Sequence, residues 1–186
     1  SGIAAAKLFG EFTACPTPVF DVGGFGQAFT PMAGMVYELS GYAFVSLEDQ
    51  LPGSVTCNSN RVLAQVAFFD APSAGGVISR NEVVIADYST TPDQWNEFSV
   101  SIPAPTGAQR VEALFLFLQP GCDTGSVYID DVTFCVKSPQ AGLSAFNLLT
   151  NPSFDSGLDG WTAFENAFSD TRVFATRTPI GSAKLF

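Results

Sequence analysis

Four cysteines, Cys15, Cys57, Cys122 and Cys135, are the residues of this 186-residue chain whose type alone promises covalent chemistry. None stands in a close C-x-x-C pair, so the spacing does not suit zinc. An even number in a weakly charged chain fits disulfides and an oxidising compartment. Four cysteines allow three pairings. The extended run from Val127 to Cys135 spans about 27 Å at ~3.3 Å per residue, whereas bridged Cα atoms lie within ~7 Å. A Cys122–Cys135 bridge is therefore disfavoured. Counting strands up and down puts Cys15, Cys57 and Cys122 in loops at one end and Cys135 at the other. One bridge among the first three is expected, with Cys135 bonded to another subunit or free.

Catalytic chemistry finds little support. The chain has no histidine, which removes the commonest general base and leaves a Ser or Cys nucleophile without its usual partner. Glu48-Asp49 is a pair of adjacent carboxylates, but glycosidase carboxylates flank a cleft, and this pair reads as a solvated loop. Gly23-x-x-Gly26 lacks the strand–helix context of a phosphate loop and reads as a turn. An enzyme is not expected. Trp95 and Trp161 could stack on sugars, yet both fall where a core residue is expected. Tyr37, Tyr42, Tyr88 and Tyr128 read as sandwich wall. Phe supplies 18 of the aromatics against 2 Trp and 4 Tyr, which favours packing over sugar capture, because Phe has no polar atom to offer.

Charge excludes two partner classes. With 18 acidic and 8 basic residues the net charge is −10, which repels nucleic acid and anionic membranes and suits contact with divalent cations. No run is long and apolar enough for a membrane span. The small residue Ser1 fits a mature end left by signal cleavage, and an extracellular or cell-surface location is expected.

The elements that must position any site are strands. Runs rich in β-branched and aromatic residues alternate with Gly, Pro, Asn and Asp, the pattern of an all-β sandwich. Strands are predicted near Ala6–Thr13, Gly26–Thr30, Met35–Ser46, Arg61–Asp70, Val77–Tyr88, Trp95–Ile102, Arg110–Leu118, Val127–Val136, Asn147–Asn151 and Arg172–Thr176. Two of them are apolar on both faces. Val62, Ala64, Val66 and Phe68 oppose Leu63, Ala67 and Phe69; Val111, Ala113, Phe115 and Phe117 oppose Leu114, Leu116 and Leu118. Such strands are expected to be covered on both sides, by loops or by a neighbouring subunit. Residues 137–144 read as a linker. They divide a body, 1–136, from a segment of opening strands, 145–186.

Asn151-Pro152-Ser153-Phe154-Asp155, followed by Gly157-Leu158-Asp159-Gly160-Trp161, resembles the opening of carbohydrate-binding-module-like, or galactose-binding-like, jelly rolls. Val127-Tyr128-Ile129-Asp130-Asp131-Val132-Thr133-Phe134 is similar to the closing strand of that family. Gly34 to Ser40, Trp95 and Pro105-x-Gly107-Ala108 match its interior. The resemblance implies a two-sheet antiparallel jelly roll. It also implies a structural calcium ion between opening and closing strands, with Asp155, Asp130, Asp131 and Glu11 as candidate ligands. Because Asp130 and Asp131 are expected on opposite faces of their strand, only one would bind directly.

The order departs from the family, since the opening motif follows the closing strand. Ile180 to Phe186 also repeats Ile3 to Phe9 at five of seven positions, ending in Lys-Leu-Phe both times. The chain is then a circular permutant, part of a tandem repeat, or a subunit completed by strand exchange with a neighbour. The function expected first is structural. The chain would be a subunit of an extracellular filament or sheath, assembled head-to-tail by donation of 145–186 to the edge near Lys7–Thr13 and the closing strand of another copy. The alternative is a non-catalytic carbohydrate-binding module, a permuted monomer that holds a glycan.

Overall fold

The computed structural model describes residues 4–9, 21–53, 60–119, 124–137, 146–165 and 167–170. Glu11, Cys15, Cys57, Cys122, most of the linker, the expected strand Arg172–Thr176 and the Lys184-Leu185-Phe186 repeat lie outside these residues. The strands are β1 (Ala5–Phe9), β2 (Asp21–Phe29), β3 (Val36–Phe44), β4 (Arg61–Phe69), β5 (Val77–Asp87), β6 (Trp95–Pro103), β7 (Arg110–Gln119), β8 (Ser126–Lys137), β9 (Thr162–Phe164) and β10 (Ala167–Asp170). Among the described residues, the sole helical element is a 3-10 turn, Leu47–Asp49. No helix there is long and apolar enough to cross a membrane.

Two five-stranded antiparallel sheets face each other, in the orders β10-β1-β8-β3-β6 and β5-β4-β7-β2-β9. Apart from the β4–β5 hairpin, consecutive strands change sheet, so the connections wrap the sandwich as a jelly roll. This is the all-β, two-sheet architecture expected from the alternating apolar pattern and from the family resemblance. Inward residues such as Leu8, Tyr37, Leu39, Val66, Phe115, Ile129 and Phe134 are fully buried and form one continuous core.

Both doubly apolar strands are central in their sheet. β4 is buried on both faces, with Leu63 and Ala67 outward yet 5% and 1% exposed. On β7, outward Leu114, Leu116 and Leu118 are half-buried. The outermost of the described strands differ in character. β9 and β10 are short, while β5 carries Arg80, Asn81 and Glu82 and two register shifts against β4. Charges and bulges of that kind discourage edge-to-edge pairing.

Two boundaries differ from expectation. β2 begins at Asp21 and runs through Gly23-Gly24, which are strand residues and not a turn. The reason is close approach to β7: a Cβ at Gly24 would collide with the Phe115 carbonyl oxygen, and one at Gly26 would meet Leu114 Cδ2 at 2.5 Å. Glycine here lets two backbones come together. Residues 147–151 contribute a single bridge, Asn147 to Cys135, where a strand was expected. The short strands β9 and β10 lie just beyond, at positions with no strand signal in the sequence.

Residues 146–170 pack onto the body of their own chain. β9 pairs with β2 and β10 with β1. Phe154 is 0% exposed and Trp161 7%. Their rings stack at 5.2 Å, and Phe25 meets both edge-on, at 5.7 and 5.2 Å. Behind Phe25 lies Phe115 at 5.0 Å. Opposite this nest, the fully buried Tyr37 accepts a hydrogen bond from the Met32 N–H at 2.7 Å.

Two predictions follow from this packing. Phe154→Ala should cost about 3–5 kcal/mol, the range for emptying a phenylalanine site in a core. Phe146→Ala, at a site 56% exposed, should change stability by no more than about 0.5 kcal/mol; urea unfolding midpoints check both. Burial raises the Tyr37 phenol above its ordinary range, against the lowering effect of the Met32 bond. The neutral phenol therefore contributes stability that is complete below the unfolded value of about 10 and is lost as pH rises through the higher folded value. Urea midpoints from pH 8 to 11 should fall less steeply in Tyr37→Phe than in the parent chain.

Candidate functional site

The opening motif is a set of turns held by asparagine side chains. Asn147 Oδ1 accepts from Phe134 N–H at 2.9 Å and Leu149 N–H at 3.2 Å, and Asn147 Nδ2 donates to the Val132 carbonyl. Asn151 sits at φ 50°, a left-handed conformation that Asn tolerates better than most residues. Its Nδ2 donates to the Gly157 and Asp159 carbonyls, its Oδ1 accepts from Ser156 N–H, and its carbonyl accepts from Trp161 Nε1 at 3.1 Å. One residue thus fixes the loop that aims Phe154 and Trp161 inward. Gln27 clamps the loop to β2: its Nε2 donates to the Thr150 carbonyl at 2.7 Å, and its Oε1 accepts from Thr150 N–H at 3.0 Å. The side-chain amide imitates one rung of a β-ladder.

The closing strand β8 is bulged where the loop docks. Ser40 pairs with Thr133 and Tyr42 with Asp130, so Asp131 and Val132 together face Gly41. Asp131 takes φ 50°, the left-handed position of such bulges. Ile129 and Val132 both enter the core. The bulge thus breaks the simple alternation on which the expectation for the Asp130-Asp131 pair rested. Asp130 is 0% exposed, and its Oδ1 accepts the Asp131 N–H at 2.7 Å. Asp131 lines an open cleft of about 400 Å³ with Tyr42, Thr133, Asn147, Pro152 and Ser153. The Val132 N–H donates to the Pro152 carbonyl at 3.0 Å across the same junction. Asp155 is exposed and accepts from Ser153 Oγ at 2.9 Å.

The structure brings the closing strand and the opening motif into contact, as the calcium expectation requires. Among the described residues no three acidic, histidine or cysteine side chains converge. Glu11 lies outside those residues, and calcium also takes backbone carbonyl oxygens. Cys135 is a half-buried free thiol. Glu48 and Asp49 fall in the 3-10 turn. Asp49 accepts from Ser126 Oγ at 2.6 Å and lies 3.7 Å from Lys7 Nζ, a tie between turn and sheet.

Trp161 is a core residue, as expected. Trp95 is not. It is half-buried and packs against Phe44 at 5.3 Å, in a small cluster with Ala5 and Tyr128 separate from the main core. Lys7 Nζ lies 5.1 Å from the centre of the Tyr128 ring. Strand alternation puts this cluster on the outer face of the β10-β1-β8-β3-β6 sheet.

A further surface lies on the outer face of the other sheet. Gly26, Ala28 and Leu114 floor a groove walled by Phe164, with Gln27, Glu112 and Thr162 at its polar rim. Phe164 is 38% exposed. The groove holds about 260 Å³, just below the ~300–1,000 Å³ of enclosed ligand pockets. It suits an extended ligand lying across the sheet better than a molecule swallowed whole. Sequence reasoning missed it because Gly23-Gly24 and Gly23-x-x-Gly26 were read as turn and the strand was started only at Gly26. An isolated glycine within an apolar strand pattern, a sign of close backbone approach, was the available signal.

Three solved structures are similar to part of this chain. The enzymatically active domain of bacteriophage CBA120 tailspike protein 4 matches 62% of this chain and 14% of its own, with 17% identity and a TM-score of 0.43. A structure described as CBM4 structure and function matches 61% of each chain at 18% identity and a TM-score of 0.37. The Clostridium thermocellum xylanase 10B CBM22-1–GH10 modules, complexed with xylohexaose, match 63% of this chain and 20% of theirs, at 17% identity and a TM-score of 0.34. No protein-family profile and no curated protein matches the sequence.

The asparagine and glutamine anchors give a direct test. Gln27→Ala should cost about 1 kcal/mol, because it removes two part-buried hydrogen bonds to the Thr150 backbone. Asp131→Gly should stabilise by up to about 1 kcal/mol, since glycine takes the left-handed bulge position without a Cβ penalty. Thermal unfolding of the two variants beside the parent chain checks both signs.

Proposed function

We propose that this chain is a non-catalytic, extracellular or cell-surface sandwich module that binds a neutral glycan along the outer face of the sheet carrying β4, β7 and β2. The groove at Phe164 carries this reading. An exposed aromatic ring stands beside a glycine floor, where a sugar face can approach the backbone, and the Glu112 carboxylate and Thr162 hydroxyl rim it. Apolar contact with a few placed polar groups is the usual composition of a ligand site. The net charge of −10 disfavours polyanionic glycans. Trp95, on the opposite outer face, packs against Phe44 and leaves Phe164 as the aromatic wall.

A second reading, a head-to-tail filament or sheath subunit, is favoured by one observation. Two of the surfaces that meet the described part of this segment, β8 and β1, are those that would accept a donated segment, and the copy of β1 lies within the donor segment. Lending to a neighbour would replace the contacts that the chain makes with itself here. Neither reading is routed through calcium.

Calorimetric titration with soluble neutral oligosaccharides and pull-down on insoluble polysaccharides test the first reading. Binding should weaken about tenfold or more in Phe164→Ala and persist in Trp95→Ala. Absence of binding at millimolar sugar rejects it. Light scattering and electron microscopy of the same sample test the second. A mass near 19.7 kDa fits the module, and regular filaments fit the subunit.

A further inference from the structure

β1 lies between β8 and β10. Ala6 and Leu8 are fully buried in the core, opposite Ile129 and Val127. Lys7 points the other way, 3.7 Å from Asp49 and over the Tyr128 ring. Phe9 pairs with Ser126. Each of these four contact-making positions recurs in the same order as Ala183, Lys184, Leu185 and Phe186.

We propose that the slot between β8 and β10 accepts residues 180–186 of the same chain as a replacement for β1. The match is in side chains and in reach. β10 ends at Asp170, which pairs with Ala5, and Ser182 is the counterpart of Ala5 in the copy. Residues 171–181 then close a hairpin across one strand spacing of about 4.8 Å, with a modest closure entropy for a loop of that length. Charge agrees as well: residues 171–186 contain Arg172, Arg177 and Lys184 and no acid, in a chain whose net charge is −10. The exchange is weighted toward β1. Ala5 is 0% exposed, and Ser182 in its place would bury a hydroxyl, which is unfavourable without a partner. β1 is thus the resident strand and 180–186 the substitute that enters when β1 leaves. A displaced β1 becomes a free strand for another copy. The inference shares its segment with the filament reading but concerns a single chain.

Leu8→Asp, Leu185→Asp and the double variant test it by thermal unfolding at several protein concentrations. Leu185→Asp should match the parent. Leu8→Asp, with the substitute engaged, should lower the melting temperature by less than about 5 °C, and the double variant by about 10 °C or more. A Leu8→Asp chain as unstable as the double variant overturns the proposal. As a second measurement, Phe186→Cys with Ser126→Cys in the Leu8→Asp chain should give a disulfide between positions 126 and 186 on peptide mapping, and its absence also overturns it. Rescue of Leu8→Asp that grows with concentration shows filling by another copy. That result rejects the single-chain proposal and supports the filament reading. Filaments without any rescue reject the proposal and leave that reading standing.

Discussion

The sandwich depends on the burial of Phe154 and Trp161 against Phe25 and Phe115. These rings sit where the two sheets would otherwise meet over empty space, and they come from a segment that follows the closing strand in sequence. Turns, bulge and clamp are arranged around this plug. Asn151 holds the loop so that both rings face inward. Gln27 ties the loop to β2. The bulge at Asp131 re-phases β8 so that Val132, Phe134 and Val136 continue the core begun by Val127 and Ile129.

This arrangement separates what holds the fold from what is free to bind. Asp49, Asp130, Asn147 and Asn151 carry side chains that could serve chemistry, and each is engaged in hydrogen bonds within the fold. The outer groove is different. Its floor is glycine, alanine and leucine, and its aromatic wall is on β9, the short edge strand laid down by the plug segment. The groove's aromatic wall and the core plug are consecutive pieces of one segment.

Much of the architecture was legible because buried strands leave a strong pattern. The central strands β4 and β7 were found to within a residue, and their double-sided apolarity corresponds to real burial. What misled was local chemistry that imitates another element. Gly23-Gly24 looks like a turn until a partner strand demands a residue without Cβ. Asn147 to Asn151 looks like a strand, but its asparagine side chains satisfy backbone groups themselves and favour turns. Asp130-Asp131 reads as simple alternation because a bulge adds one residue without any glycine to mark it. β9 and β10 are too short and too polar to leave a period. The groove is created by pairing between β2 and β9, a contact across more than half the chain. No local window contains it.

The contact between Phe25 and the pair Phe154–Trp161 also sets the order of events at birth. A growing chain presents β2 more than a hundred residues before the rings that close over it. Until residue 161 has emerged, the half-built sandwich holds an open apolar seam, and only then can the sheets lock. Closing this sandwich is accordingly a long-range event, and during translation that seam is the surface that a chaperone would need to shield.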